Sequence, residues 1–479
     1  MPMARTLQAS TALLTLYSAF CVVGCGSTDA QTSWSSSEIP EAGPAATDSG
    51  AAVPDSATPT PVDSGAREAS LGADAAADSA ATANGSSDAA EEPEAPPPTA
   101  FVHAMGSTLV DPNGKPLLLR GVNLGNWLEY EGYLWQFDGS RGDRTRNIEQ
   151  RVVDLLGAEA AATFWKNYRT TYTTEDDIAQ LGALGFNSVR VPFTARFLLP
   201  DGQTAFDETE FTYLQNVATW GAAHGVYIIF DMHATPGGQS GQNIDDDTDG
   251  QPDLFIDASN QDRFVTIWTE IARRFKDVVS VAGYDLVNEP LPEPQTSQYV
   301  PQLWPLYKRV ATAIRAVDPN HMLIVEGANW ANDWSSLDAP FDDNMAYSFH
   351  KYWDATDVSS IQTFLDHRTM WNRPIWCGES GENDNSWYQA AFPMLESNNV
   401  GWAFWPWKKF NTGNDPYSVN LPTNYGAIQS WVSDATQPQP SPTDAQSTLN
   451  ELLANIVLKQ CTYNQSVVCS LIAHAPGCP

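Results

Sequence analysis

The sequence predicts a large (β/α)8 barrel at residues 100–479, preceded by a signal peptide at 1–25 and a disordered acidic linker at 26–99. Three observations support this prediction. From residue 100 onward, eight short apolar runs alternate with longer amphipathic segments, which is typical of parallel strands connected by helices. The linker contains almost no large apolar side chains. The first 25 residues contain an apolar stretch that follows a basic residue.

The N-terminal segment is similar to the signal peptide of a bacterial lipoprotein. Arg5 precedes an apolar stretch at residues 11–24, which is too short to cross a bilayer comfortably. The stretch leads into Val-Val-Gly-Cys at 22–25, where the small Gly24 would permit cleavage and lipidation of Cys25. A plain secretory signal with an incidental cysteine is the alternative. We therefore expect an exported protein, held as a lipoprotein at the bacterial cell envelope or cell surface, or otherwise secreted.

The linker consists mainly of Ala, Ser, Thr, Pro, Asp and Gly, and its acidic residues far outnumber its single basic residue, Arg67. Such a segment buries too little apolar surface to offset the entropy of an ordered chain. The composition predicts a disordered, self-repelling tether.

The charge of the chain limits its partners. The formal net charge is −33 at pH 7, whereas nucleic acid binding requires a basic surface. Attraction to an anionic membrane surface is equally disfavoured, so membrane contact is expected only through a lipid anchor. A neutral polysaccharide is the partner that fits best, and a monomer is expected.

The barrel domain is predicted element by element from its alternating patterns. A hairpin comes first, with arms at 107–110 and 117–119 joined by an Asp-Pro-Asn-Gly turn. The eight predicted barrel strands are 120–123, 188–191, 226–230, 283–287, 322–325, 345–349, 374–377 and 400–404. Helical periodicity predicts helices at 175–184, 208–224, 263–276, 303–317 and 358–367, with a last helix that carries apolar residues on one face between 449 and 457.

Two glutamates stand directly after predicted barrel strands, in the motifs VNEP at 287–290 and CGES at 377–380. The carboxyl ends of barrel strands converge on one open face. Two carboxylates brought together there suffice to cleave a glycosidic bond. A single glutamate in a loop is more simply a solvated acid, but the matching positions of Glu289 and Glu379 favour a catalytic pair.

Further polar and aromatic residues follow other strands. Arg190 lies between two valines, and a buried arginine requires a carboxylate partner. Taken singly, each of the others has an ordinary structural explanation, but their joint placement after successive strands indicates a site. These residues are His233, Asn288, His350, Tyr352 and Trp405.

The ordered motifs resemble those of glycoside hydrolase family 5. They are RGVNLG (120–125), NSVRVP (187–192), DMH (231–233), NEP (288–290), HKY (350–352) and GES (378–380). Two further segments, NLGNWL (123–128) and ATPGGQ (234–239), are most similar to the exo-β-1,3-glucanase and β-1,6-glucanase branch of that family. The resemblance implies a TIM-type (β/α)8 barrel and a retaining mechanism that needs no metal or cofactor.

The resemblance also implies a role for each residue. Glu289 would be the general acid/base and Glu379 the nucleophile. Asn288 would bind the 2-hydroxyl, Arg190 and Tyr352 would hold the nucleophile, and the remaining substrate-binding residues would be His233, His350, Trp405, Glu131 and Asn123.

The predicted function is therefore a retaining glycoside hydrolase that cleaves β-glucosidic bonds in a neutral polysaccharide, with β-1,3- or β-1,6-glucan favoured. One alternative is a cellulase or mannanase of the same family. A catalytically inactive barrel that binds glycans at the cell surface is the other. Hydrolysis of a panel of polysaccharides would distinguish the first alternative from the predicted glucanase. Turnover by wild type that is lost in a Glu379 variant would exclude the second.

Two other sequence features bear on metals and disulfides. Asp245, Asp247 and Asp249 follow the spacing of a calcium loop, but Ile256 stands where a bidentate glutamate is expected. A solvated acidic loop is favoured over structural calcium.

Export permits disulfides, and one bridge is predicted among three C-terminal cysteines, with the pairing open. Cys377 is predicted to be a buried free thiol. The three are Cys461, Cys469 and Cys478.

Overall fold

The structure, a computed structural model, describes residues 100–479. The predicted signal peptide at 1–25, its lipidation site Cys25 and the predicted linker at 26–99 lie outside the described residues. Within the described part of the chain, no helix has both the length and the apolar character needed to cross a membrane.

Eight parallel strands close into the predicted barrel, because the last strand pairs with both the first and the seventh. All eight predicted strands are present. Several continue further at their carboxyl ends than predicted, so that polar site residues lie within hydrogen-bonded strands. The barrel strands are β3 (Arg120–Asn123), β4 (Ser188–Thr194), β5 (Tyr227–Ala234), β6 (Val281–Asp285), β7 (Met322–Glu326), β8 (Met345–Lys351), β9 (Ile375–Gly381) and β10 (Gly401–Trp405).

The lead-in hairpin precedes its predicted position. It consists of β1 (His103–Met105) and β2 (Thr108–Val110), paired antiparallel. The predicted turn at Asp111 does form, since its carbonyl accepts from the Gly114 amide at 2.9 Å. However, the predicted second arm at 117–119 forms no strand. Its Leu117 amide donates a hydrogen bond to the Leu109 carbonyl in β2 at 2.8 Å.

Helices fill the connections between the barrel strands. Each helix that the sequence predicted is present, although the segment 358–361 is a 3-10 turn that leads into its helix. The helices are α1 (Thr145–Leu156), α2 (Ala158–Tyr172), α3 (Glu175–Leu184), α4 (Ala195–Leu198), α5 (Glu208–His224), α6 (Asp253–Ile256), α7 (Ala258–Phe275), α8 (Thr296–Tyr299), α9 (Leu303–Arg315), α10 (Gln362–Trp371), α11 (Asn385–Ser397), α12 (Tyr425–Ser433), α13 (Pro442–Asn455) and α14 (Gln465–Leu471).

Three short strands lie beyond the barrel in a small separate sheet: β11 (Lys408–Phe410), β12 (Tyr417–Val419) and β13 (Thr462–Tyr463). Near them, Cys469 and Cys478 form the single predicted bridge, whereas Cys461 and the buried Cys377 are free thiols.

The barrel interior is apolar at one end and polar at the other. The apolar layer joins Ile229, Met322, Ile324 and Trp376 to residues of the lead-in hairpin, such as Leu109, in one buried cluster. Towards the carboxyl ends of the strands the buried residues become charged. Within the barrel interior, buried charge therefore lies towards the open face, where catalytic residues of such barrels lie.

Candidate active site

The two glutamates predicted from the sequence face each other. Glu379 lies within β9, and Glu289 lies four residues past the end of β6. One carboxylate oxygen of each, together with a ring nitrogen of His350, lie within 4.8 Å of one another. Both side chains are almost fully buried. The structure therefore brings together two carboxyl groups that are far apart in the sequence.

Glu289 has an unusual backbone conformation. Its φ angle is +40°, a left-handed value that costs a non-glycine residue free energy. The Glu289 amide donates to Glu326 Oε2 at 2.7 Å, so the carboxylate at the end of β7 compensates for this strain. The conformation turns the Glu289 side chain towards β8 and β9.

Glu379 is surrounded by hydrogen-bond donors. Arg190 Nη1 donates to its Oε1 at 2.5 Å, and the Tyr352 hydroxyl donates to its Oε2 at 2.7 Å. Burial raises the pKa of Glu379, but the positive charges of His350 and Arg190 outweigh burial and hold the pKa below its ordinary value. Glu379 is therefore an anion at neutral pH.

Glu289 lies in a different electrostatic environment. Burial raises its pKa, and the hydrogen bond from His350 Nδ1 to Glu289 Oε1, at 2.7 Å, offsets this only in part. His350 Nε2 donates to Glu326 Oε1 at 3.1 Å. The two catalytic candidates thus have pKa values displaced in opposite directions, which is the pattern expected of an acid paired with a nucleophile.

Arg190 is the centre of the buried charge. Its side chain is fully buried and lies within 3.1 Å of carboxylate oxygens of Asp231, Asp285 and Glu326, in addition to Glu379. These partners explain how a barrel interior tolerates a guanidinium.

Three of those partners were not predicted from the sequence as site residues. Asp231 lies within β5, while Asp285 and Glu326 end β6 and β7. An acidic residue in an otherwise apolar strand is the signal that could have identified them.

His233 lies on the other side of Glu379. Its Nδ1 donates to Asp231 Oδ2 at 2.7 Å, and its ring stacks on Trp405 with centroids 5.2 Å apart and planes 9° apart. Asn288 Nδ2 lies 3.2 Å from His233 Nε2, and Glu131 Oε1 lies 3.7 Å from the same nitrogen. A ring of polar groups therefore extends away from the catalytic pair.

Asn123, the last residue of β3, completes the cluster. Its side-chain amide donates to the Gly378 carbonyl at 3.1 Å, next to Glu379, and its oxygen accepts from Arg190 Nη1 at 3.2 Å. All ten predicted catalytic and substrate-binding residues lie in one region: Asn123, Glu131, Arg190, His233, Asn288, Glu289, His350, Tyr352, Glu379 and Trp405.

The acidic loop between β5 and α6 differs from the expected solvated loop. Asp245, Asp246 and Asp247 are buried. Asp245 accepts from the Ser240 amide and hydroxyl, both at 2.7 Å, and burial raises its pKa to about 7. The prediction of a solvated loop is wrong for Asp245 and Asp247, whereas Asp249 is exposed. The loop is buried because arginines pair with it: Arg196 and Arg146 bind Asp246, and Arg144 binds Asp247.

Two groups of described residues have spacings that a metal ion could use. One is Glu289, His350 and Glu379, which is the catalytic pair with its histidine. The other is Glu129, Glu131 and His233. Glu129 was not predicted from the sequence.

Comparison with known proteins agrees with the geometry. Residues 148–411 match the model of the family described as cellulase (glycosyl hydrolase family 5). A β-xylosidase of Phanerodontia chrysosporium is 32% identical, over 53% of this chain and 52% of that protein, so the chain spans about half the length of this relative.

Two fungal relatives are also similar. A probable glucan endo-1,6-β-glucosidase B of Aspergillus flavus is 27% identical, covering 64% of this chain and 90% of that protein. A probable glucan 1,3-β-glucosidase A of Aspergillus fumigatus is 27% identical, covering 55% of this chain and 63% of that protein. The chain belongs to the cellulase family, glycosyl hydrolase family 5, and is a glycosidase.

Proposed function

We propose that this glycosidase is a retaining β-glucanase that acts on a neutral β-1,6- or β-1,3-linked glucan. The observation that carries the proposal is the pair of buried carboxyl groups, which have one oxygen of each within 4.8 Å of the other and pKa values displaced in opposite directions. A retaining enzyme needs carboxyl groups about 5–5.5 Å apart, one protonated and one ionised. The names of the glucan-cleaving relatives support the substrate class.

In the first step, the ionised Glu379 attacks the anomeric carbon while Glu289 transfers its proton to the departing oxygen. The glycosidic bond breaks, and a covalent glycosyl ester forms on Glu379. In the second step, the Glu289 carboxylate takes a proton from a water molecule, whose oxygen attacks the anomeric carbon. The ester bond breaks, so both glutamates return to their starting protonation states.

The surrounding residues have distinct roles in this proposal. Arg190 and Tyr352 keep Glu379 ionised and fix its orientation, while His350 orients Glu289. Asn288 binds the sugar 2-hydroxyl, which lies next to the reacting carbon. The remaining substrate contacts come from Asn123, Glu131, His233 and Trp405.

The proposed enzyme needs no metal or cofactor, because carboxyl groups supply both the proton and the nucleophile. The arginines that pair with Asp246 and Asp247 support an acidic loop that holds its shape without calcium. In this proposal the enzyme is an exported monomer that has no nucleic acid partner. A lipid on Cys25 anchors it, and the acidic linker connects this anchor to the barrel.

The test is hydrolysis of a panel of polysaccharides by the full-length protein. Pustulan and laminarin report β-1,6 and β-1,3 cleavage, while carboxymethylcellulose and mannan report the family alternatives. Product sizing gives the mode of cleavage, and NMR gives the configuration of the released sugar. We expect release of the β-anomer from pustulan or laminarin; release of the α-anomer would contradict a retaining mechanism.

Variants assign the two glutamates. Glu379→Gln should abolish turnover and still bind glucan, while the exposed Glu451→Gln should match wild type. With an aryl glucoside, azide should restore turnover of Glu289→Ala and give the β-glycosyl azide, because the ester on Glu379 still forms. Glycan binding without turnover by wild type would instead favour the inactive glycan-binding barrel.

A further inference from the structure

Gln239 is a fully buried residue that the proposed mechanism does not use. It lies in the loop between β5 and α6, and its Nε2 donates to two backbone carbonyls, that of His233 at 2.7 Å and that of Asn288 at 2.9 Å. Its Oε1 accepts from the Thr235 amide at 3.1 Å. Because a carbonyl only accepts and a backbone amide only donates, these partners fix the orientation of the side-chain amide. Gln239 therefore connects the end of β5 to the segment that follows β6.

The bond to Asn288 acts on the catalytic candidate next to it. The Asn288 carbonyl and the Glu289 amide belong to one planar peptide unit, whose two polar ends point in opposite directions. Gln239 Nε2 donates to the carbonyl end, and Glu326 Oε2 accepts from the amide end at 2.7 Å. Two side chains from different parts of the barrel thus fix this peptide unit, and a rotation of its plane would break both bonds.

The orientation of this peptide unit decides where the Glu289 carboxyl lies. The φ angle of Glu289, +40°, describes the rotation between the peptide unit and the Glu289 Cα atom. A left-handed value persists in a residue with a side chain only where the surrounding contacts hold it. In this conformation the carboxyl reaches His350 Nδ1 at 2.7 Å.

Gln239 also bonds to the chain beyond Glu289. Its backbone carbonyl accepts from the amide of Leu291 at 3.1 Å, and Leu291 too has a left-handed φ angle, +52°. The catalytic candidate thus lies between two contacts made by one buried residue. A methionine has a length similar to that of glutamine but no donor, so it would fill the same space and leave the two carbonyls without this hydrogen bond.

The substrate-binding residue Asn288 is held by other bonds as well. Its amide donates to the Met232 carbonyl at 3.2 Å, and its Oδ1 accepts from Arg190 Nη2 at 2.9 Å. Loss of the Gln239 side-chain amide should therefore act on Glu289 rather than on the contact that Asn288 makes with the sugar.

We propose that Gln239 is a positioning residue for proton transfer: its side-chain amide fixes the Asn288–Glu289 peptide unit and so holds the Glu289 carboxyl within reach of the glycosidic oxygen. This inference rests on the proposed function, because it takes Glu289 as the acid/base. Gln239 acts through Glu289 alone, so its loss should impair protonation of the leaving group and spare the attack by Glu379.

The test compares two leaving groups on the same sugar. Aryl β-glycosides of glucose, or of a short oligomer of the glucan that wild type cleaves, would carry either phenol or 2,4-dinitrophenol. Phenol departs only with the proton from Glu289, whereas 2,4-dinitrophenol departs as a stable anion without it. We would measure kcat/KM, which in a two-step mechanism reports the step that releases the phenol.

Gln239→Met should lose about 10- to 100-fold in kcat/KM on the phenyl glycoside and at most about threefold on the dinitrophenyl glycoside. Gln239→Glu keeps the shape of the side chain and, when protonated, donates one hydrogen bond, so it should lose less on the phenyl glycoside. It provides the same comparison of leaving groups if the methionine variant fails to fold.

Asn187→Leu is the matched control. Asn187 directly precedes β4, at the other end of the barrel, and its side-chain amide makes similar contacts. Its Nδ2 donates to the Leu118 carbonyl at 2.9 Å, and its Oδ1 accepts from the Arg120 amide at 2.7 Å. The control should lower the melting temperature but keep the wild-type ratio of kcat/KM between the two leaving groups. Equal losses of Gln239→Met on both substrates would overturn the inference and identify a structural role, and no loss on either would also overturn it.

A crystal structure of Gln239→Met separates this inference from the proposed function. It should show the Asn288–Glu289 peptide unit rotated, with Glu289 Oε1 farther from His350 Nδ1 than 2.7 Å. An unchanged peptide unit would overturn the inference, whatever wild type hydrolyses. If wild type cleaves no glycan and the peptide unit rotates in the variant, only the proposed function fails. If wild type cleaves glucan with retention and the variant loses equally on both leaving groups, the inference fails alone.

Discussion

Replacement of Tyr352 by phenylalanine tests how the structure keeps Glu379 ionised. The Tyr352 hydroxyl donates to Glu379 Oε2 at 2.7 Å, within a site that excludes most water. A hydrogen bond to a charged group contributes about 1.5–3 kcal/mol. One pKa unit corresponds to about 1.4 kcal/mol, so losing this donor should raise the pKa of Glu379 by about 1–2 units.

The assay is the pH dependence of kcat/KM with an aryl β-glucoside. Its acidic limb reports ionisation of the nucleophile in the free enzyme. In Tyr352→Phe this limb should move to higher pH by about 1–2 units, because a carboxylate that has lost a donor holds its proton more tightly. The alkaline limb, which reports Glu289, should move much less.

Tyr347→Phe is the matched control. Tyr347 lies in β8, shortly before Tyr352, and its hydroxyl donates to the Asp338 carbonyl at 2.9 Å rather than to a site residue. The control should keep the wild-type profile. An unchanged acidic limb in Tyr352→Phe would refute the assignment of this hydroxyl to the nucleophile, and equal shifts in both variants would indicate a general loss of structure.

Two further predictions concern stability. Burial raises the pKa of Asp415 to about 7 from 3.8, so the folded state loses stability as pH rises from about 4 to 7. Asp415→Asn should therefore stabilise the protein by about 2–4 kcal/mol at pH 8 and hardly at pH 4. Thermal unfolding at both pH values measures this difference. A gain of equal size at both pH values would contradict this. Replacing Cys469 and Cys478 by serine should cost about 2–3 kcal/mol, because their bridge closes a short loop. Unfolding in denaturant measures this loss, and unchanged stability would show that packing alone holds the tail.

The barrel was predictable because its strands have a strong local signal. Strands buried on both faces are nearly continuous apolar runs, and eight of them are present. The helices α3 and α5 were predictable to the residue because their ends carry local signals. Asp207 caps α5 and Gly225 ends it in a left-handed conformation, while Thr174 and Asp177 form a capping box on α3.

Some helices were not predicted, and α1 and α2 are two whose starts carry no side-chain cap. Helix α1 begins after Arg144, which provides no side-chain cap, and α2 begins directly after Gly157. Contacts distant in sequence stabilise this region instead, such as the ion pair between Arg144 and Asp247. The same contact explains why the acidic loop is buried rather than solvated: a sequence of aspartates does not reveal which arginines will reach them.

The site shows the same division between local and distant information. Glu289 and Glu379 could be identified because each follows an apolar run, and Arg190 was expected to keep Glu379 ionised. The contacts that separate the two pKa values could not be read from the sequence. The Glu379 carboxylate bonds to Arg190 directly, whereas the Glu289 carboxyl bonds to His350. Three other carboxylates lie beside Arg190, and their negative charges offset its positive charge. Arg190 therefore does little to lower the pKa of a second catalytic acid.

This distribution of charge explains how one cluster supports two opposite roles. Glu326 accepts from Arg190, from His350 and from the Glu289 amide, so it offsets the positive charge between the two catalytic groups. Burial then decides the protonation of Glu289, whereas the positive charges of His350 and Arg190 decide that of Glu379. Glu326, at the end of β7, therefore helps to keep the pKa of Glu289 above that of Glu379.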